Sequence, residues 1–126
     1  MTKNVLFVCN SAVNRSPSFT QLVNDDFGID LFCQAAGTHA YREYDQIQPN
    51  TCEWADVIFC ATAQEAMWLI DKMGPDVKPK IGILGLGDDY DYLDKNILTV
   101  YDIFHKHIFA NMAAHSKAEE NAKFGG

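Results

Sequence analysis

The first chemical signal is a cysteine and an arginine six positions apart, Cys9 and Arg15, with Ser16 and Pro17 directly after. The apolar run Val5-Leu6-Phe7-Val8 leads into Cys9, and a helix-like stretch follows Pro17. Strand, cysteine, five-residue loop, arginine and helix start form, in that order, a cradle for a tetrahedral oxyanion. Successive N–H groups in so short a loop turn inward as a nest, and the helix adds its positive end. Arg15 can close the ring with two parallel N–H···O bonds, which lysine cannot supply. The same field stabilises a thiolate, making Cys9 a nucleophile, and Ser16 can donate a hydrogen bond to it. Asn10, Ser11, Ala12, Val13, Asn14, Arg15 and Ser16 are the expected phosphate-binding residues.

Cleaving a phosphate ester also requires a proton for the leaving oxygen, which a carboxyl group held over the cradle provides as general acid. It then acts as base for the water that releases the phosphoenzyme. Asp88 and Asp89, in the loop Gly85-Leu86-Gly87-Asp88-Asp89-Tyr90, are the candidates. No metal or other cofactor is required, because backbone dipoles and Arg15 carry the charge stabilisation. Tyr41 and Tyr90, with Asp89, are candidate cleft-lining residues; Tyr44 and Tyr92 lie in the same loops.

Alternating elements must position these groups. A strand is expected over 4–8 and a helix from Ser16-Pro17, with Ser16 as N-cap and Pro17 at the first helical position. Gly28 ends that helix. A second strand is expected over 29–35 and a short helix over 51–55. Further expectations are a strand over 57–60, a helix over 63–73 burying Ala66, Met67, Leu69 and Ile70, and a strand over 80–84. A long helix from about Asp94 carries the stripe Ile97, Val100, Tyr101, Phe104, Ile108 and Met112. Residues 1–115 read as one domain and 116–126 as a polar, frayed tail. Strands alternating with helices give a parallel α/β sheet covered on both faces, with ligands beyond the carboxyl ends of its strands.

The chain has 126 residues and a formal net charge of −7, which argues against nucleic acid as a partner. No apolar stretch is long enough to span a membrane and no signal-peptide pattern precedes the first strand. A cytoplasmic protein with no membrane partner is expected. Cys33, Cys52 and Cys60 read as reduced packing thiols, and His39, His105, His107 and His115 form no ligand pair.

These residues resemble the low-molecular-weight protein tyrosine phosphatases. The match lies in Val5-Leu6-Phe7-Val8-Cys9-x5-Arg15-Ser16-Pro17, Ala36-Gly37-Thr38, Trp54-Ala55-Asp56-Val57-Ile58-Phe59 and Asp88-Asp89-Tyr90. It covers about residues 4 to 110 and is closest to a short branch that also carries Asp-Asp-Tyr. The resemblance implies a flavodoxin-like three-layer sandwich with a four-stranded parallel sheet in order 2-1-3-4. It implies hydrolysis of a phosphorylated protein or small phosphomonoester through a cysteinyl-phosphate, with Asp88 rather than Asp89 as the acid. Val13 looks like the phosphotyrosine type rather than the phosphoarginine type. The family's loop usually reads Cys-x-Gly-Asn-x-Cys-Arg. Here Ser11 stands for the Gly, Ala12 for the Asn and Asn14 for the second Cys. Ala tolerates unusual backbone angles poorly, so the expectation is a cradle braced differently, by Asn10 or Asn14, or a weaker one.

Two other readings use the same residues. A thiol-dependent arsenate reductase would relay a disulfide through Cys60 and a second cysteine, at a position that is Met67 here. A non-catalytic phosphate-binding module would keep the cradle but has no need of a thiolate.

Overall fold

A computed structural model describes residues 3–87 and 91–123, with side chains as far as residue 117. Strands are β1 (Lys3–Cys9), β2 (Leu31–Gly37), β3 (Val57–Cys60) and β4 (Ile81–Ile83). Helices are α1 (Arg15–Phe27), α2 (Pro49–Trp54), α3 (Ala63–Met73), α4 (Lys95–Phe104) and α5 (Ala110–Lys123). The sheet runs β2-β1-β3-β4 with every pairing parallel, the expected order.

β1 is the central strand, and its residues Val5 to Cys9 are all buried. Successive side chains point to opposite faces. Val5, Phe7 and Cys9 pack with Phe19 and Val23 of α1, Ile97 and Tyr101 of α4, and Phe109. Leu6 and Val8 pack on the other face with Cys52 of α2 and Ala66 and Leu69 of α3. Two-sided burial explains why the strand is apolar throughout.

Several element boundaries differ from expectation. α1 begins at Arg15, not at Pro17: Asn14 precedes it without a side-chain cap, because the Ser16 hydroxyl is turned toward Cys9. β2 begins at Leu31 rather than Ile29, which is 90% exposed. A turn closed by Asp30 N–H on the Phe27 carbonyl (2.9 Å) uses up the residues between. α2 opens two residues early, with Pro49 at its first position. β4 is shorter than expected, because a 3-10 turn over Pro75–Lys80 takes its first residue.

α3 buries Ala66 and Leu69, but Met67 is exposed and Glu65 is buried in its stead. A π-helical turn, His105–Phe109, separates α4 from α5. The extra residue in such a turn rotates the buried face. Phe109 and Ala113 therefore enter the core, while Ile108 and Met112 are only partly buried. Helix continues to Lys123, past Ser116, where a frayed tail was expected to begin. Among the described residues, no helix is long and apolar enough to cross a membrane.

Candidate active site

Cys9 is the last residue of β1, 1% exposed, at the carboxyl edge of the sheet. The chain then turns sharply enough to send the Ala12 N–H back to Cys9 Sγ at 3.2 Å. Ser16 Oγ lies 3.1 Å from the same sulfur, so its hydroxyl can donate to a thiolate. Cys9 stands just before the N-terminal end of α1. Cys9, Ala12 and Ser16 are thus brought together.

The loop is held by the segment after β2. Thr38 N–H donates to the Cys9 carbonyl (3.0 Å) and His39 N–H to the Asn10 carbonyl (2.7 Å). The Asn10 side-chain oxygen lies 3.0 Å from His39 Nδ1 and 3.4 Å from Thr38 Oγ1. Close approach is possible only because Gly37 lacks a side chain: a Cβ there would lie 2.8 Å from the Asn10 carbonyl oxygen. Ala12 takes φ 58°, in the left-handed region. Of the two expected braces, Asn10 makes side-chain bonds to the neighbouring loop, whereas Asn14 offers α1 no side-chain cap. Val13 is 47% exposed, and Ser11 is partly exposed.

Arg15 is 5% exposed at the first position of α1. Its Nη1 donates to the Leu86 carbonyl at 2.9 Å, and its Nη2 lies 3.4 Å from Glu65 Oε1. The other Glu65 oxygen accepts from the backbone and hydroxyl of Thr62, a capping box at the start of α3. Glu65 is absent from the sequence-based set of site residues. Its one local signal is the Thr62-x-x-Glu65 spacing, which foretells the cap but not the arginine.

Asp88, Asp89 and Tyr90 lie outside the described residues. The chain on either side of them is tied to α1: Leu86 accepts from Arg15, and Leu93 N–H donates to Ser18 Oγ at 2.8 Å. Leu86 N–H also donates to the Ala61 carbonyl (2.8 Å). Tyr41 and Tyr44 are 89% and 78% exposed. Tyr44 lies under the Arg42 guanidinium at 5.2 Å. Among the described residues, no group of three or more His, Cys, Asp or Glu could hold a metal ion.

Cys60 is fully buried and its thiol is pushed up to about 12, chiefly by burial and further by Glu65. A thiol held protonated is a poor relay nucleophile, and the second relay position, Met67, is exposed. The geometry therefore does not favour the disulfide-relay reading.

No protein-family model and no curated protein matches the sequence. Solved structures do match, and they define a class: the chain has the flavodoxin-like fold of the low-molecular-weight phosphatases. YwlE arginine phosphatase from Geobacillus stearothermophilus aligns with TM-score 0.66 at 16% identity, over 98% of both chains. Wzb of Vibrio vulnificus, in complex with benzylphosphonate, gives 0.65 at 15% identity over 94% of this chain and 99% of that one. A protein tyrosine phosphatase from Entamoeba histolytica gives 0.65 at 20% identity over 96% and 99%. At such identities the likeness is one of fold.

Proposed function

We propose that this chain is a cysteine-dependent phosphomonoesterase of the low-molecular-weight tyrosine phosphatase type. The observation that carries the reading is the seat of Cys9 Sγ between the Ala12 N–H and the Ser16 hydroxyl, just before α1. A phosphate-binding module needs the anion-binding backbone and Arg15 but gains nothing from a nucleophilic sulfur at the base of the cradle. That tyrosine and arginine phosphatases are among the structurally similar proteins adds support.

In the proposed reaction the Cys9 thiolate attacks phosphorus, forming the S–P bond as the ester P–O bond breaks. Loop amides and Arg15 hold the equatorial oxygens. The Asp88 carboxyl gives its proton to the leaving oxygen. Its carboxylate then takes a proton from water, which attacks phosphorus, breaks the S–P bond and releases inorganic phosphate and the thiolate. Ser16 stabilises that leaving thiolate. Phosphotyrosine is the favoured substrate class, because Val13 offers no polar group to a phosphoguanidine. A reducing compartment, the cytoplasm, suits the free thiols Cys9, Cys33, Cys52 and Cys60.

The test is hydrolysis of para-nitrophenyl phosphate, phosphotyrosine peptide and phosphoarginine by wild type and Cys9→Ser at mildly acid to neutral pH. Turnover that disappears with Cys9→Ser is the expected result. Phosphate binding with no Cys9-dependent turnover would make the chain a binding module instead.

A further inference from the structure

Beside the cradle lies a cavity of about 270 Å³ that none of the steps above uses. Its walls come from three segments at the carboxyl edge: Asn10 after β1, Thr38 and His39 after β2, and Gln64, Glu65 and Trp68 from the start of α3. Asn10 adjoins the nucleophile, and Glu65 pairs with Arg15. A group lodged here would sit next to the phosphoryl site rather than on a remote face.

The lining suits a cation. Among the described residues it contains one carboxylate, one histidine and no lysine or arginine. Glu65 accepts from Thr62 N–H, Thr62 Oγ1 and Arg15 Nη2. A carboxylate offers about four lone-pair sites, so capacity for one further donor remains in a wall only 5% exposed. Trp68 presents an indole, 5.7 Å from the His39 ring, and an indole is the best aromatic partner for a cation. The side-chain oxygen of Gln64 is a further acceptor.

Charge balance favours the same occupant. With substrate bound, a phosphate dianion, the Cys9 thiolate and Glu65 would stand against the Arg15 guanidinium, in a chain of net charge −7. An acidic occupant would add to that excess, and an apolar one would strand the free acceptor. We propose that the cavity is a subsite for a basic side chain, a lysine or arginine flanking the phosphorylated residue of the substrate. The proposal rests on the phosphatase reading for the identity of that substrate.

The test is peptide binding to Cys9→Ser, which holds substrate without turning it over. Phosphotyrosine peptides differing only in Lys, norleucine or Glu at the flanking positions are titrated by calorimetry. The Lys peptide is expected to bind about five- to tenfold more tightly than the norleucine peptide, and the Glu peptide more weakly than either. Gln64→Lys, at an exposed position, places the chain's own ammonium in the cavity and should reduce the Lys preference below about twofold. Trp68→Leu, checked for folding by its melting temperature, should reduce it as well. Affinities independent of flanking charge, or a Lys preference untouched by Gln64→Lys, would overturn the subsite, and so would failure of every peptide to bind. Absence of Cys9-dependent para-nitrophenyl phosphate turnover in wild type would sink the phosphatase reading alone, because the dissociation constants would still decide the subsite.

Discussion

Gly37 is the position at which the cradle is most sensitive to a single methyl group. It closes β2 directly opposite Cys9. A Cβ built there lies 2.8 Å from the Asn10 carbonyl oxygen and 3.0 Å from both Ala12 N and Ser11 C. All three atoms are backbone, so no side chain can swing aside. Ordinary contact begins near 3.4 Å, and Gly37→Ala must therefore displace the loop by about half an ångström. Overpacking of this kind costs about 1–3 kcal/mol. Displacing reacting groups by about 1 Å can cost about a hundredfold in rate, so a fall in kcat/KM of about tenfold or more is expected. Gly82→Ala is the control: its Cβ meets only the Phe59 ring, at 3.0 Å, away from the cradle. The assays are para-nitrophenyl phosphate hydrolysis, inhibition by inorganic phosphate, and urea unfolding of both variants. Gly82→Ala should lose stability with kcat/KM preserved. If Gly37→Ala also loses stability with kcat/KM preserved, the cradle does not depend on this approach and the reasoning fails.

Asp88→Ala should lower turnover about a hundredfold or more, with Asp89→Ala mild; the opposite ranking would move the acid to Asp89. Glu65→Ala leaves Arg15 buried beside an empty carboxylate site and removes the α3 capping box, so urea unfolding should show a loss of about 3 kcal/mol. A loss under about 1 kcal/mol would mean that the partners left to Arg15, the Leu86 carbonyl among them, suffice. Asn10→Ala should weaken inhibition by phosphate about three- to tenfold, whereas Asn14→Ala should leave it within about twofold. Burial pushes the Cys33 and Cys60 thiols from 9.0 up to about 12, and burial and Asp26 push the Tyr101 hydroxyl up as well. Groups raised in the folded state contribute stability that is intact below their unfolded values and lost as pH climbs toward the folded ones. The urea midpoint should therefore fall between pH 9 and pH 12, the span of the thiol shift, and a flat midpoint there would contradict the burial of these groups.

What the sequence discloses follows how local each cause is. The grouping of Cys9, Arg15 and Ser16 is legible because strand end, loop and helix start fall within a few residues. The sheet order came from the family resemblance, and the covered parallel sheet from the alternation of apolar runs with helical stripes. Ile29 misled because β propensity cannot tell a strand from a turn. The start of β2 is fixed by its pairing of Leu31 with Lys3 across the sheet. Met67 fits a helical wheel, but the face that α3 buries is set by Glu65, whose partner Arg15 is far away in sequence. The π turn before α5 is likewise invisible to a 3.6-residue stripe, since the inserted residue moves Phe109 into the place expected for Ile108.

The loop's departures from its relatives acquire a physical meaning at Ala12. A non-glycine residue at φ 58° costs about 1–2 kcal/mol. Such strain persists only where the surroundings fix the backbone more firmly than the residue itself prefers. Here they do so from both sides. The Ala12 N–H is drawn to Cys9 Sγ at 3.2 Å, and its methyl is 4% exposed. One turn earlier, Asn10 is fastened to His39 and Thr38 through its side chain and its carbonyl. The brace thus lies in the segment after β2, and Gly37 supplies the room for that segment to approach. Because the strained residue is also the one that donates to the sulfur, loosening the brace should relax Ala12 and withdraw a donor from the thiolate together. Support and reactivity are then linked through one amide.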